Sequence, residues 1–563
     1  MKTQDYLKGS GSKSNNSLIW DFFRFAIPFS LFCIGTFLST QLFAEMMNYD
    51  TRVVGNPTTI FGKEIYSVFV YFAACIKYSM NSVASEYIID SLYPMFIFTG
   101  SGILFVFVWG IVRMIHSTQK NVHGTARFAN EKDLKENGLL AKEDGVIMAQ
   151  LGSAKVNANK KNNTALTMKL KKQAQFIQHS GKANSLLLAP TGSGKGVGFL
   201  IPTLLNYKGS MIVFDPKGEN YNITAGYRKS FSRVIRFAPC DNFTARFNPL
   251  MAIRDGDEYA FRDANLIADI IFAPAKAGSS GTEEHFNNLA KGMATTAILH
   301  VRFSDNVEDK SLAGVLKFLT HTDYATLKEK KNKEAQGEES GQGDEQFMSM
   351  LECKHYYVID GKKIESKELH SKIAGGASRV LNIAARERSS VFTTVFSKMQ
   401  LFDDPLLAQA TSGDDFEIED FINCEEPITL YLTVPYSDVQ RIAPVFKLLI
   451  SFMLKKFSGG ETQHGSVKLK NHLLFMLDEF PTLGYFPDIA EVMGVLRGYG
   501  INFIIVCQAL SQLVDRYGQN HPFLDHCTVQ VVYAPGSTKD AEEFSAAIGN
   551  ETFTELKITS SGK

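Results

Sequence analysis

Apolar residues concentrate in two long runs near the amino terminus. The first covers residues 25–42 and lies between Arg24 and Glu45, and the second covers residues 93–112 and contains no charged residue. A helix of about 20 apolar residues spans the roughly 30 Å hydrocarbon core of a membrane. The pattern therefore predicts two transmembrane helices, at about residues 25–44 and 93–112, with a loop of residues 45–92 between them.

Other interpretations of these runs fit the sequence less well. A cleaved signal peptide does not match the first run, which contains Pro28, lacks a small-x-small cleavage site and is followed by a second run. The second run is longer and more uniformly apolar than a helix of a soluble core. Lysines and arginines flank the outer ends of the pair, so the positive-inside rule places both chain ends in the cytoplasm. Residues 65–76 form a shorter apolar stretch, which predicts a small extracytoplasmic subdomain.

Farther along the chain, a short apolar segment leads into a glycine-rich turn. Residues 185–196 read SLLLAPTGSGKG, and a helical pattern continues to residue 205. A strand, a glycine-rich loop, a lysine and a helix in this order form a phosphate-binding loop, in which backbone N–H groups surround phosphate oxygens. The predicted nucleotide-binding residues are Thr191, Gly192, Ser193, Gly194, Lys195, Gly196 and Val197.

This loop departs from the general Walker A pattern at both ends. Ala189 replaces the first glycine, and Gly196 replaces the serine or threonine whose hydroxyl ordinarily contacts magnesium. Because Gly196 has no hydroxyl, the metal must depend more on a carboxylate elsewhere in the chain.

A second motif supplies that carboxylate. Residues 472–479 read HLLFMLDE, an apolar run that predicts a buried parallel strand with two acids at its carboxyl end. Alone, this ending often marks only the end of a strand, but together with a phosphate-binding loop it is a Walker B motif. Asp478 is then the predicted Mg²⁺ ligand, and Glu479 is predicted to orient and deprotonate the water that attacks the γ-phosphate of ATP.

Two further residues are predicted to act at this site. Residues 501–508 form another apolar run, which ends in Gln508 and places its amide to sense the γ-phosphate. Residues 211–215 predict one more strand of the same kind. Arg497 follows the acidic strand by one helix, and it is either an arginine finger for a neighbouring subunit or a solvated helix residue.

Length and composition limit the number of folded units and the kinds of binding site that the chain can have. At 563 residues the chain exceeds one typical core, which predicts two or three folded units. Lysine plus arginine and aspartate plus glutamate both number 59, so no overall basic charge indicates nucleic acid binding, and any such surface must be local. The seven cysteines form no CxxC pair and no other metal-ligand spacing.

Several motifs together resemble one known family, the coupling proteins of type IV secretion and conjugation systems (TraG/VirD family). The resemblance covers most of residues 120–555, and its specificity lies in the order of the motifs. The motifs are HGTARFA at 123–129, GKGVG at 194–198, FDPKGE at 214–219, FNPL at 247–250, VPYSD at 434–438, DEFPTLG at 478–484 and QALSQL at 508–513.

The resemblance implies a RecA-like motor that forms a homo-hexameric ring at the bacterial inner membrane and uses ATP and Mg²⁺. The implied partners are inner-membrane components of the secretion system, together with relaxase-bound single-stranded DNA or secreted effector proteins and their chaperones. The family also carries a glycine after the P-loop lysine, so Gly196 is then expected. Arg497 falls where the family has a candidate trans-acting arginine.

The expected fold is α/β, a RecA-like P-loop domain with an inserted all-α domain, preceded by the two-helix transmembrane region. Residues 1–118 form the membrane region, residues 119–250 and 413–563 the nucleotide-binding domain, and residues 251–412 the insertion. Residues 287–301 and 372–387 each predict a helix, and residues 328–345 predict a mobile surface loop. Because relatives usually run on through a further strand, we expect the complete protein to extend beyond Lys563.

Two other functions remain open from the sequence. The first is a membrane-anchored pump for double-stranded DNA of the chromosome-partitioning type, against which the motifs at 434–438 and 247–250 argue. The second is a substrate receptor that binds nucleotide as a structural clamp without hydrolysing it, an option that Gly196 keeps open. The leading hypothesis is an ATPase that drives substrate into a secretion channel.

Overall fold

The computed structural model describes residues 16–78, 82–115, 126–140, 144–151, 175–274, 281–320, 344–458 and 469–550. The chain forms two compact units, one within residues 1–124 and the other from 125 to 550.

The amino-terminal unit is mainly helical. Its elements are α1 (Asn16–Met46), α2 (Thr51–Val54), β1 (Thr58–Ile60), β2 (Lys63–Ile65), α3 (Val68–Tyr78), α4 (Ser82–Ser91) and α5 (Tyr93–Ile115). The stretches Phe25–Met46 and Ser85–Val112 are long and apolar enough to cross a membrane. Large apolar side chains on both, such as Phe29 and Phe107, are exposed, as expected of helices that face lipid. Both predicted spans therefore coincide with helices of suitable length.

Helices α1 and α5 pack closely where glycine replaces a side chain. A Cβ added at Gly35 would lie 2.9 Å from Phe98 Cβ and 3.0 Å from Met95 Cα, and one added at Gly102 would lie 3.2 Å from Pro28 Cα. At Gly100, an added Cβ would meet no atom of the described residues within 4 Å. Small residues at such contacts let two backbones approach.

Between the two long helices lies a small folded segment. Helix α3 buries Tyr71 and Ala74, and Tyr71 Oη is 2.9 Å from Ser91 Oγ. The same helix leaves Phe69 and Ile76 exposed. The predicted apolar stretch of residues 65–76 thus contributes one face to a local core.

The second unit begins with elements on either side of the phosphate-binding loop, followed by the first helix of the insertion. These are α6 (Glu131–Glu136), β3 (Val146–Leu151), β4 (Gln175–His179), β5 (Ser185–Leu188), α7 (Ile201–Asn206), β6 (Ser210–Asp215), α8 (Glu219–Arg228), β7 (Arg233–Phe237) and, in the insertion, α9 (Ala260–Ile271). Of the motif at 123–129, residues 123–125 lie outside the described residues.

Where the structure describes it, the rest of the inserted segment consists of helices and one hairpin. Its elements are α10 (Gly281–Phe303), α11 (Leu312–Thr320), α12 (Asp344–Glu352), β8 (Tyr356–Ile359), β9 (Lys362–Glu365), α13 (Lys367–Leu381), α14 (Ala385–Met399) and α15 (Pro405–Ala410). Asp360 and Gly361 have φ of 49° and 73°, which is the backbone of a tight two-residue hairpin turn. The predicted loop of residues 328–345 lies almost wholly outside the described residues.

One predicted helix in this segment is wrong. Residues 372–387 belong to two helices, because α13 ends at Leu381, Asn382 caps it by donating its N–H to Ser378 O, and α14 starts at Ala385. Asparagine favours helix ends because its side chain competes with the helical backbone. Arg379 and Arg388 therefore lie on different helices, and buried Arg388 pairs with Asp344 at 2.8 Å.

The chain then returns to the sheet. The remaining elements are α16 (Asp420–Asn423), β10 (Ile428–Thr433), α17 (Val439–Ser458), β11 (Leu473–Leu477), α18 (Pro487–Leu496), β12 (Ile501–Cys507), α19 (Leu510–Tyr517), α20 (Phe523–His526), β13 (Val529–Val532) and α21 (Thr538–Ile548).

Seven strands form one sheet in the order β13-β5-β12-β11-β6-β10-β7, and every neighbouring pair is parallel. Strands β5, β6, β10, β11 and β12 are buried at every position. Uniformly apolar strands suit a parallel sheet that helices cover on both faces. Because the strands are parallel, their carboxyl ends meet at one edge of the sheet.

The inserted helices share a core with the sheet. Phe214 and Phe446, whose rings are 5.6 Å apart, belong to the same cluster of buried residues as Ile298 of α10 and Phe392 of α14. A separate cluster on the other face joins Leu187 and Val506 to Phe199 and Leu204, which follow the phosphate-binding loop. The insertion is therefore packed onto one face of the sheet, and the helix after the loop onto the other.

We predict that Gly35→Ala destabilises the amino-terminal unit by about 1–3 kcal/mol, because the methyl group would overlap Phe98 and the backbone of α5. Gly100→Ala on α5 is the matched control and should leave stability unchanged or slightly raised. Thermal unfolding of the full-length protein in detergent measures both. Equal stability of the two variants would contradict the close contact of α1 with α5.

Candidate nucleotide-binding site

The loop that follows β5 has the backbone of a phosphate-binding loop. Gly192 and Gly194 have φ of 79° and 83°, a region that side chains with a Cβ rarely adopt. Ser193 N donates to Pro190 O at 3.1 Å, which closes the turn. Successive N–H groups in such a conformation form a concave anion-binding surface.

A buried hydroxyl in this loop is available for a ligand. Ser193 Oγ is buried and has no hydrogen-bond partner among the residues that the structure describes. An unsatisfied buried hydroxyl is costly, and a phosphate oxygen at the loop would satisfy it. The loop therefore fits the group that its sequence implies.

The helix after the loop starts with a π-helical turn. This turn covers Gly196–Leu200, and Ile201 N donates to Gly196 O before α7 continues. The next residue, Pro202, lacks an N–H, so regular helical bonding to Gly198 O is impossible there. At the far end, the fully buried guanidinium of Arg228 donates to Leu204 O, Tyr207 O and Gly209 O at 2.7–2.9 Å and holds the end of α7 in place.

Gly196 is not required by packing. A Cβ added there would meet no atom of the described chain within 4 Å. A serine or threonine would therefore fit, so the missing magnesium-binding hydroxyl does not result from a lack of space.

Lys195 lies between the two acids at the end of β11. Its Nζ donates to Asp478 Oδ1 at 2.9 Å and to Glu479 Oε1 at 2.6 Å, and all three side chains are at most 15% exposed. Burial disfavours the charge of Lys195, but attraction to the two carboxylates outweighs it, so the pKa of Lys195 is raised. Burial raises the pKa of Asp478, and Lys195 offsets this only partly.

Glu479 has a strained backbone. Its φ and ψ of 51° and 40° lie in the left-handed region, which is uncommon for a residue with a side chain. Thr482 stabilises this turn by donating both its N–H and its hydroxyl to Glu479 O at 2.8 and 2.7 Å. Strained residues of this kind concentrate at functional sites.

Gln508 joins the two motifs. Its Nε2 donates to Glu479 Oε2 at 2.7 Å, and its Oε1 accepts from Thr191 Oγ1 at 2.9 Å. Residues from the phosphate-binding loop, β11 and the end of β12 thus form one connected set of hydrogen bonds. The structure brings together the predicted residues Thr191, Lys195, Asp478, Glu479 and Gln508.

Two of the predicted residues lie outside this connected set of hydrogen bonds. Val197 is 75% exposed on the first turn after the loop. Arg497 is exposed at the end of α18 and just before β12 starts, so it lies at the amino-terminal edge of the sheet. The phosphate-binding loop lies at the carboxyl edge, and Arg497 therefore does not contribute to the site of its own chain.

Asp215 is a third carboxylate at the same edge, which the sequence indicated only as a strand end. Phe214 of β6 pairs with Leu477 of β11. Asp215 and Asp478 are the next residues along the chain, so they lie side by side at the ends of neighbouring strands. Burial and the charge of Asp478 raise the pKa of Asp215 to about 6. Asp215 Oδ2 accepts from Tyr221 N at 2.8 Å, so this side chain supports the start of α8.

The described residues contain no group of three or more His, Cys, Asp or Glu side chains arranged to hold a metal ion. Mg²⁺ usually binds one or two carboxylates together with substrate phosphates and water. Asp478 at the end of β11 fits that mode of binding.

Comparison with known proteins identifies relatives of this chain. Residues 127–563 match the family described as type IV secretory system conjugative DNA transfer. Conjugal transfer protein TraG of Escherichia coli is 30% identical over 78% of this chain, and protein VirD4 of Agrobacterium fabrum is 27% identical over 77%. This chain spans 66% and 57% of the lengths of those two relatives.

A solved structure shares the fold. The plasmid coupling protein TrwB, in complex with the non-hydrolysable ATP analogue ADPNP, matches with a TM-score of 0.50 and 16% sequence identity, over 77% of this chain and 84% of that one. The predicted fold class, a RecA-like P-loop domain, is thereby confirmed.

We predict that Lys195→Met lowers the free energy of unfolding by about 3 kcal/mol or more in the absence of nucleotide, because two buried carboxylates lose their counter-charge. Chemical denaturation of the full-length protein in detergent measures this. The control is Lys217→Met, an exposed lysine at the same sheet edge, which should change stability by about 0.5 kcal/mol at most.

A second variant separates charge from packing. Adding Glu479→Gln to Lys195→Met removes one of the unpaired charges and should recover part of the lost stability. If Lys195→Met were as stable as the Lys217→Met control, the lysine would not be paired in the nucleotide-free protein.

Proposed function

We propose a function from the premise that this chain belongs to the type IV secretory system conjugative DNA transfer family. It is an inner-membrane ATPase, a coupling protein that recruits substrate and drives its delivery to a type IV secretion channel. The single observation that carries the enzymatic part is the connected set Thr191–Gln508–Glu479–Lys195, which ties the phosphate-binding loop to the acidic strand.

Binding of ATP rearranges the contacts of Lys195. Without nucleotide, the ammonium group pairs with both Asp478 and Glu479 and offsets part of their negative charge. A triphosphate in the loop offers Lys195 a larger negative charge, and Ser193 and the loop N–H groups donate to the same oxygens. Movement of Lys195 toward the phosphates then frees both carboxylates for their roles in hydrolysis.

Glu479 is the proposed general base. Once Lys195 has left it, Glu479 accepts a proton from the attacking water, while the water oxygen bonds to the γ-phosphorus and the bond from that phosphorus to ADP breaks. Gln508 donates a hydrogen bond to Glu479 Oε2 and accepts one from Thr191 in the loop. Asp478 would hold Mg²⁺, which supplies charge stabilisation at the β- and γ-phosphate oxygens.

The assembly completes the site. We propose a homo-hexameric ring in which Arg497 of one subunit reaches the nucleotide of its neighbour, since its own chain places it at the opposite edge of the sheet. Residues 1–118 anchor the ring through two spans with both chain ends cytoplasmic. Residues 119–250 and 413–563 form the motor, and residues 251–412 form the inserted helical domain.

The family description, conjugative DNA transfer, supports DNA as one cargo. We propose that this DNA is single-stranded and bound to a relaxase. Effector proteins with their chaperones are the other class, and inner-membrane components of the secretion system are the expected partners. A double-stranded DNA pump is the less supported alternative. A receptor that binds nucleotide without hydrolysis is favoured by one observation, the missing hydroxyl at Gly196.

We predict that the purified full-length protein hydrolyses ATP. Glu479→Gln should lower kcat by about 100-fold or more, the usual contribution of a general base, and Lys195→Ala should do the same because the phosphates lose their cation. Glu479→Gln should still bind ATP, because the loop and Lys195 are intact. Phosphate release and nucleotide binding are measured in parallel, with Lys217→Ala as control. Equal turnover of the wild type and Glu479→Gln would favour the non-hydrolysing receptor.

Subunit mixing tests the role of Arg497. Arg497→Ala and Lys195→Ala should each be inactive alone, because one lacks the trans-acting cation and the other the phosphate-binding lysine. A mixture should recover part of the activity, since an intact loop can then face an intact Arg497. Arg262→Ala, an exposed arginine on α9, is the control and should be active alone. Inactivity of the mixture, or full activity of Arg497→Ala, would exclude a trans-acting role.

A further inference from the structure

We propose that helix α3, between the two spans, lies in the extracytoplasmic surface of the membrane with its exposed side in contact with lipid. This side is the α3 stripe, which we define as Phe69, Phe72, Ala73 and Ile76. The inference rests on the proposed two-span anchor and adds a third element that holds the chain in the membrane. The partner is lipid at the boundary between headgroups and acyl chains.

Helix α3 is apolar on both of its sides. Residues 68–76 read VFVYFAACI and contain no charged residue. Tyr71 and Ala74 are buried in a local core, whereas the α3 stripe recurs at intervals of three and four residues on the opposite side. Phe69 and Ile76 in this stripe are 86% and 81% exposed. Because a helix that is apolar all round belongs in a protein core or in a membrane, the stripe needs a cover.

Contacts with α1 place the start of α3 beside the first span. Gln41 lies more than one helical turn before Met46, the last residue of that candidate span. Its Nε2 donates to Tyr66 O at 3.0 Å, and its Oε1 accepts from Tyr66 N at 3.2 Å. Both backbone groups of Tyr66 are thereby satisfied without water, as backbone within a membrane must be. The chain therefore enters α3 alongside α1 and not beyond its end.

The middle of α3 also lies beside the spans. The ring centres of Tyr71 and Phe43 are 5.4 Å apart, and Phe43 belongs to the first candidate span. Ile88 of the second candidate span is part of the same cluster of buried residues. Phe72 follows Tyr71 directly and is exposed at the same level. The α3 stripe therefore continues the exposed apolar surface of the two spans, and the lipid that covers them covers the stripe.

The length and the end of α3 fit the membrane surface better than a crossing. The helix has 11 residues. At about 1.5 Å per residue it extends roughly 16 Å, about half of the hydrocarbon core. Its last residues are Lys77 and Tyr78, and Lys77 Nζ lies 5.1 Å from the centre of the Tyr78 ring. Lysine and tyrosine are typical of the boundary between hydrocarbon and water, where short apolar helices lie along the membrane.

The experiment measures how close the α3 stripe lies to lipid. Both tryptophans of the chain, Trp20 and Trp109, are replaced by phenylalanine, and a single tryptophan is introduced by Phe69→Trp or Ile76→Trp. Each full-length variant is reconstituted in phosphatidylcholine vesicles whose acyl chains carry bromine, a short-range quencher of tryptophan fluorescence, either near the headgroup or near the bilayer centre. We expect bromine to quench both variants, more strongly when it is near the headgroup, and we expect aqueous iodide to leave their fluorescence unchanged.

Two further positions calibrate the measurement. Ile97→Trp replaces a 62% exposed residue near the middle of the second candidate span, and bromine near the bilayer centre should quench it most strongly. Phe243→Trp replaces an exposed residue of the second unit and should be quenched by iodide and not by bromine. Each variant should unfold at the same temperature as the tryptophan-free protein, because an aromatic or apolar side chain is exchanged for another at an exposed position.

The outcomes separate the stripe from the anchor. If iodide and not bromine quenched Phe69→Trp and Ile76→Trp, the stripe would face water in the isolated protein, and a protein partner would replace lipid as its cover. If bromine also failed to quench Ile97→Trp, the spans themselves would lie outside the membrane, and the proposed anchor would be overturned. A charged variant gives an independent measurement, since Phe69→Asp should lower the Tm in vesicles because a carboxylate in lipid is costly. An unchanged Tm would contradict contact with lipid.

Discussion

A lysine held between two buried carboxylates is the interaction on which the rest of the site depends. Lys195 belongs to the loop after β5, whereas Asp478 and Glu479 follow β11, and β12 lies between those two strands. Their pairing connects distant parts of the chain across the sheet edge. Two acids this close to one another and this deeply buried would repel without a cation. In the nucleotide-free site, the lysine therefore keeps the two carboxylates together by offsetting part of their repulsion.

The sheet transmits a change at this edge to both of its faces. On one face, the helix after the phosphate-binding loop packs with Phe199 and Leu204 against β5, β6 and β12, and Arg228 holds its far end. On the other face, the inserted helices share a continuous core with the same strands. Packed interiors contain few voids and transmit strain, so this continuous core connects β11 mechanically with the inserted helices.

The two edges of the sheet hold different groups of the predicted site. Lys195, Asp478, Glu479 and Gln508 lie at the carboxyl edge, while Arg497 lies at the amino-terminal edge of the same chain. A parallel sheet separates its two edges by the length of its strands, so no small motion brings Arg497 to its own nucleotide.

The sequence alone determined the features that depend on local pattern. Apolar runs located α1 and α5. Uniformly apolar strands followed by a glycine-rich loop, by two acids or by a glutamine located β5, β11 and β12, together with Lys195, Asp478, Glu479 and Gln508. Tertiary structure decided how those pieces meet. The strand order placed Asp215 beside Asp478 and put Arg497 at the opposite edge, and tertiary contacts linked Thr191 to Gln508. The break at Asn382 divided the predicted helix of residues 372–387. The reason is that hydrophobic periodicity records which face of an element is buried, whereas pairing between strands hundreds of residues apart depends on contacts that no local pattern contains.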